Sequence, residues 1–333
     1  MTTARAVHTA TRLNDGRVLV AGGCTDPGCE TGSAAGATAE LYDPTSETFM
    51  PTGPMTVSRD DHAAVLLRDG RVLLAGGWTS SGVTRSTELY DPQTGRFSRG
   101  PDMSSPRAGI TAVLLQDGRV LLAGGFTDNR PTVATADLFD PTTDSIQPTG
   151  AMLIPRGAYA AALLGDGRVL IAGGLSDGKV VASADLFDPL AGRFSAAQPM
   201  ATARYKAGSV TLSDGRAFVI GGAADIEGRT VFASTEFFDS EAGGFLAGPT
   251  MERGRYKLVG SIVTLSDGRL VIAGGADQPE ALDPATGRAE RVDGSLDGLR
   301  LFLTATVIDG DRVLLLGGYD ERIRPTAQAW IVR

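Results

Sequence analysis

Short apolar runs that end in paired glycines recur along the chain: VLVAGG, VLLAGG, VLLAGG, VLIAGG, AFVIGG, LVIAGG and VLLLGG. The first glycine of each pair is Gly22, Gly76, Gly124, Gly173, Gly221, Gly274 and Gly317. Each run is short, continuous and bounded by turn residues, the pattern of a strand buried on both faces. Asp-Gly-Arg precedes six of them and DGDR the seventh. Asp-Gly is a hairpin signal, because both residues tolerate positive φ. The stretch before it, such as HAAVLL, reads as another strand. A third follows the glycines, as in STELYDP, and Asp-Pro ends it. A fourth is short, as in RFSRG. No segment shows a useful helical period.

The spacing between glycine pairs is 54, 48, 49, 48, 53 and 43 residues. A period of this size marks a repeat architecture. One four-stranded sheet cannot bury both of its faces, but a ring of such sheets packed face to face can, which is the β-propeller solution. Six junctions, at Met55, Met103, Met152, Met200, Met251 and Leu296, lead four residues on to Arg, and Met1 begins the same motif. The units are then residues 1–54, 55–102, 103–151, 152–199, 200–250, 251–295 and 296–333 of one propeller domain. The last unit stops at its third strand, AQAWIVR, and nothing ahead of Arg5 can supply a fourth. Closure is expected to rest on packing between the first and last blades.

The paired glycines, the aromatic-Asp-Pro, the period and the Met-x-x-x-Arg junction together resemble kelch repeats over nearly the whole chain. The resemblance implies an all-β, seven-bladed kelch-type propeller of four-stranded antiparallel blades, the last three-stranded. It says little about function. The kelch Trp of the fourth strand is replaced by Phe49, Phe97, Phe194 and Phe245, or is missing.

Charge excludes some roles. The net charge is −8 and the pI about 4.9, whereas nucleic-acid binders carry a basic face. No apolar run reaches the roughly 18 residues of a membrane helix. MTTARAVHTATRL has no apolar block behind a basic start, so no signal peptide is expected. Cys24 and Cys29 read as loop thiols of a cytoplasmic protein; a local disulfide between them would point instead to export.

Residues found in nearly every unit serve the blade. Arg5, Arg59, Arg107, Arg156, Arg204, Arg255 and Arg300 match Glu40, Glu88, Asp137, Asp185, Glu236 and Glu280, with Gln328 in the seventh unit. Similar kelch repeats pair such an Arg and acid inside the blade, and buried charges require partners. The paired glycines are not a dinucleotide loop, since no helix follows.

Residues that differ between units are candidates for a site. After the Arg stand Ala6-Val7-His8, Asp60-Asp61-His62, Ala108-Gly109-Ile110, Gly157-Ala158-Tyr159, Tyr205-Lys206-Ala207, Tyr256-Lys257-Leu258 and Leu301-Phe302-Leu303. They fall at one mouth of the channel, the face that binds in related kelch domains. Blade two lies three steps from blades five and six, so its acids are expected to face the Tyr-Lys pairs. Trp78, Phe126 and Tyr319 directly behind the glycines are candidates for an apolar floor. Arg130, Lys179, Arg229 and Arg322 follow in the same loops. Blade six has two extra residues between Arg255 and Gly274, which suggests a bulge.

Two readings follow. In the first, the mouth binds a small anionic molecule and performs acid–base chemistry of isomerase, cyclase or lyase type, without a cofactor or metal. Lys206 and Lys257 anchor the anion, Tyr205 and Tyr256 exchange protons, and His62 beside Asp61 acts as base. Asp60, His8, Tyr159, Trp78, Phe126, Phe302, Tyr319, Arg130 and Arg229 complete the binding surface. Two histidines are too few for copper oxidation of the galactose oxidase kind. In the second reading the same face docks a protein or peptide. Divergence confined to the axis favours the first.

Overall fold

The computed structural model describes residues 1–29, 34–129 and 131–333. They form six four-stranded antiparallel sheets and a final three-stranded one. In the first blade the strands are Thr9–Arg12, Val18–Ala21, Ala39–Asp43 and Thr48–Pro51, each paired with the next in sequence. The last blade consists of Thr304–Asp309, Arg312–Leu316 and Ala329–Val332. The innermost strands touch one another in cyclic order, and Thr9–Arg12 meets Thr304–Asp309 to complete the ring. Among the described residues helix is limited to one 3-10 turn at Ala34–Ala37. Among the described residues no helix is long and apolar enough to cross a membrane.

The apolar runs are the second strands. All four residues of Val18–Ala21, Val72–Ala75, Val120–Ala123 and Val169–Ala172 are buried. One face meets the previous blade and the other the next. Leu19 and Ala21, for example, pack against Val72, Leu74 and Tyr90 of blade two. The core is therefore a set of seams between sheets, not a single centre. The phenylalanines that replace the kelch Trp lie on the aromatic residue of the third strand. Ring-centre distances are 4.9 Å for Tyr42–Phe49 and 4.7 Å for Tyr90–Phe97.

The repeated arginines are buried ties. Arg59 donates to the Gly76 carbonyl at 2.7 Å and to Glu88 at 2.9 Å. Glu88 also accepts the backbone N–H groups of Thr56 and Val57. One carboxylate thus binds the Met-x-x-x-Arg corner to the third strand. Equivalent ion pairs join Arg5–Glu40, Arg107–Asp137, Arg156–Asp185, Arg204–Glu236 and Arg255–Glu280. Blade seven departs from the expectation. Gln328 turns outward to donate to Asp297, and Arg300 donates to the Leu296 carbonyl with its guanidinium above Trp330.

The Asp-Gly-Arg turns tie neighbouring blades at the opposite end. Asp15 accepts from Arg17, which reaches Pro92 of blade two, and Arg119 likewise reaches Pro189 of blade four. The seam between blades seven and one uses the same bonds as the others. Gly318 donates to the Arg5 carbonyl at 3.0 Å, as Gly23 does to that of Arg59 at 2.9 Å. The Met1 ammonium adds a bond to the Ala327 carbonyl.

Candidate functional site

The residue two places after each Arg has left-handed backbone. The φ values are 56° at Val7, 51° at Asp61, 62° at Gly109, 52° at Ala158, 52° at Lys206, 58° at Lys257 and 54° at Phe302. This conformation costs an L-residue roughly 1 kcal/mol or more, and backbone bonding offsets it. Asp61 donates its N–H to the Val7 carbonyl, Gly109 to Asp61, Ala158 to Gly109, Lys206 to Ala158 and Lys257 to Lys206. Val7 donates to Phe302, so the bonds form a collar around the axis. Among the described residues no such bond joins Lys257 and Phe302. The innermost strands start only after this collar, not at the Arg as the sequence suggests.

The collar brings both lysines to one ring. Lys206 Nζ lies 4.6 Å from the centre of the Phe302 ring and Lys257 Nζ 5.5 Å from it. Each also lies over the Tyr that precedes it, Tyr205 at 5.2 Å and Tyr256 at 5.0 Å. Lys257 Nζ donates to Tyr319 Oη at 2.8 Å. Burial, and then the charge of Lys206, pulls the Lys257 amine down to about 8. Burial pushes the Tyr319 phenol up, and the Tyr256 and Asp61 oxygens push it further. Lys179, Lys206 and Lys257 are the only lysines of the chain, its other basic side chains being arginine and two histidines. That scarcity is a signal the sequence reading missed.

The acids of blade two separate. Asp61 lies against Gly109 of blade three, where its Oδ2 would be 3.3 Å from an added Cβ. Asp60 is buried beside Trp78, with which its backbone pairs. Burial, and then Asp61, pushes its carboxyl up to about 7. Tyr205 and Phe126 form a second aromatic cluster with Ala158, flanked by Trp78. Gly109 and Gly157 make room for the Phe126 ring; a Cβ on Gly157 would stand 2.7 Å from it. Tyr256 leans over Gly228 of the blade-five loop, and Arg229 in that loop is exposed. Arg130 lies outside the described residues.

Three candidates are anchored in the seams between blades. His8 Nε2 bonds Thr304 Oγ1 of the preceding blade at 3.0 Å, and His62 Nε2 bonds Thr9 Oγ1 at 3.0 Å. Tyr159 donates to the Ala123 carbonyl. All three are buried. Burial first, then Arg59, lowers His62 to about 3 and keeps it neutral. The ring nitrogen left over, Nδ1, is itself buried. His62 is therefore held as a neutral wedge between blades, and with His8 it also lines the axial cavity below the collar. The cause is the collar: the left-handed residue points to the axis and the next one into the seam.

Below the collar is a cavity of about 220 Å³. Val7, Asp61 and Phe302 roof it, and Thr9, Thr11, Thr111 and Thr304 are among its lining residues. It is smaller than the pockets that hold drug-sized ligands. Neither lysine lines it. The blade-six insertion is not a bulge. It forms a tight turn at residues 258–261 in which Ser261 donates to the Leu258 carbonyl, and it places Val259 and Gly260 in the cavity wall. The cysteines are not free thiols: Cys24 and Cys29 form a disulfide, packed with Ala6, Phe302 and Tyr319 beside the lysine sector.

The Kelch motif family model matches residues 62–104, which run from the first strand of blade two to the first residues of unit three. No curated protein matches the chain. The glycine pair Gly76-Gly77 inside this match recurs in all seven blades, and with the ring architecture it makes the chain a seven-bladed kelch-repeat β-propeller.

Proposed function

We propose that the axial mouth binds a compact anionic small molecule and that the protein works there by acid–base chemistry of isomerase, cyclase or lyase type. The observation that carries this reading is the pairing of Lys206 and Lys257 on one Phe302 ring. Two ammonium groups held together repel, and an anion between them relieves the repulsion. The surrounding aromatic rings lower the local dielectric and strengthen any charge contact made there. Proton exchange falls to Lys257 and Tyr319, already hydrogen-bonded to each other. One feature favours protein docking instead: Ile226 is 52% exposed in the blade-five mouth loop.

The test is equilibrium binding of small carboxylates and phosphates by calorimetry at low salt. Charged hydrogen bonds contribute about 1.5–3 kcal/mol each, so Lys206→Ala with Lys257→Ala should weaken binding at least roughly tenfold. Unchanged binding in the double variant would remove the mouth as the site. Loss of peptide binding in Ile226→Asp, with no anion bound by the parent, would favour docking.

A further inference from the structure

We infer that Lys257 is a carbonyl-condensing amine, and that the compact anion of the mouth is a 2-oxo acid or a closely related carbonyl carboxylate. The inference rests on the mouth being a small-molecule site and names the ligand class for it.

The geometry supplies three parts. The first is a primary amine kept partly from water by Phe302, Tyr319 and Tyr256. Its proton affinity is reduced by that burial and by Lys206, so about a tenth is the neutral nucleophile at pH 7. The second is the Tyr319 hydroxyl, 2.8 Å from Nζ. Burial raises its pKa, so it keeps its proton and can give it to an oxygen formed next to the amine. The third is Lys206, a second positive charge on the same Phe302 ring. It fits a carboxylate adjoining the carbonyl. Simple anion binding would use two lysines alike. Only Lys257 has the phenol, and this asymmetry is what an addition to a carbonyl uses.

The step balances without a co-reactant. The Lys257 nitrogen lone pair forms a bond to the carbonyl carbon. The carbonyl π pair moves to oxygen, which takes a proton from Tyr319. Nitrogen then loses a proton, which returns to the tyrosinate, and the carbinolamine forms. Tyr319 then protonates the hydroxyl, the nitrogen lone pair expels water as the C–O bond breaks, and the iminium N–H proton returns to the tyrosinate to leave the imine. Nothing is oxidised or reduced, and hydrolysis restores the amine.

The experiment is incubation of the intact protein with pyruvate and sodium cyanoborohydride, followed by peptide mass mapping. Reduction fixes the imine as a mass gain equal to pyruvic acid less one oxygen. With so few lysines, the exposed Lys179 is an internal control for non-specific reaction. The expected result is labelling of Lys257 at least roughly tenfold faster than of Lys179, the factor that one pKa unit gives. Lys257→Arg should abolish it. Tyr319→Phe should slow it several-fold. Acetone, which lacks the carboxylate, should label Lys257 more slowly than pyruvate, and Lys206→Ala should reduce pyruvate to the rate of acetone. Labelling confined to Lys179 or the N-terminus, or found on Lys206 alone, would overturn the inference. Lactate, the same carboxylate without the carbonyl, separates the two levels of failure. If lactate binds through the lysines and pyruvate leaves no adduct, the covalent role falls and the anion site stands. If neither binds nor labels, both fall.

Discussion

Blades three and four and blades five to seven share one collar backbone and differ in what they hang on it. In the first sector the left-handed positions are Gly109 and Ala158; in the second they are Lys206, Lys257 and Phe302. The φ angles agree within a narrow range, 52–62°. The backbone is therefore common to the whole collar, including the step from Lys257 to Phe302, which among the described residues no collar bond closes, and the side chains are left free to differ. The small residues of the first sector are not empty of meaning, since they admit the Phe126 ring. The second sector gathers positive charge that the collar positions of blades three and four lack. In a repeat protein, equal backbone with unequal side chains marks where function can reside without disturbing the ring.

The largest effect should come from the framework that both sectors depend on. Arg59→Met leaves Glu88 buried with its partner gone, and breaking a buried pair in this way costs about 3–5 kcal/mol. Arg300→Met offers the contrast inside the same molecule. Among the described residues no acid pairs with Arg300, so no charge is stranded, and the loss should be nearer to that of ordinary hydrogen bonds, roughly 1 kcal/mol. Urea unfolding of the two variants compares them directly. Equal losses would mean that the acids are not what the ties depend on.

Most of the fold was legible because its signals repeat. Seven glycine pairs, the Asp-Gly turns and the Met-x-x-x-Arg corner define seven blades, and AQAWIVR supplies the third strand of the last. The site was legible only in part. The sequence brings Tyr205-Lys206 and Tyr256-Lys257 to notice because they break the repeat. It cannot say that each lysine points inward while the residue after it is turned into a seam. That alternation comes from the left-handed residue, which its position after the Arg does not reveal, so His62 and Tyr159 were read with the mouth residues. Tyr319 was in view as an aromatic behind a glycine pair, but its bond to Lys257 joins residues 62 apart. Gln328 failed as a partner for Arg300 because the last blade has no fourth strand outside it, and the side chain is exposed.

A second, smaller effect concerns Asp60. Its folded pKa of about 7 lies above the ordinary 3.8, so the native state holds a proton that the unfolded chain releases. Stability from this group is therefore present at low pH and declines as pH rises from about 4 to about 7, then stays level. Asp61 is the charged group that deepens the shift. Asp60→Asn should remove that decline. Relative to the variant, the parent should lose about 2 kcal/mol between roughly pH 5 and pH 7, since each pH unit is worth about 1.4 kcal/mol for one proton. Parallel stability curves for parent and variant over this range would show that Asp60 ionises freely in the fold.

The smallest effect exchanges the two sectors at ring-equivalent positions. Gly109→Ala puts a Cβ at φ 62°, 2.9 Å from Phe126, and should cost about 1–2 kcal/mol from backbone strain and a displaced ring. Lys206→Gly does the reverse. It relieves a left-handed L-residue of roughly 1 kcal/mol, while the freer unfolded chain takes back about as much. Stability should then change by less than about 0.5 kcal/mol, and anion binding at the mouth should fall. The outcome to look for is this split: a loss of stability with binding kept in blade three, and a loss of binding with stability kept in blade five. If Lys206→Gly instead unfolds the ring, the lysine belongs to the framework, and the contrast between the two sectors disappears.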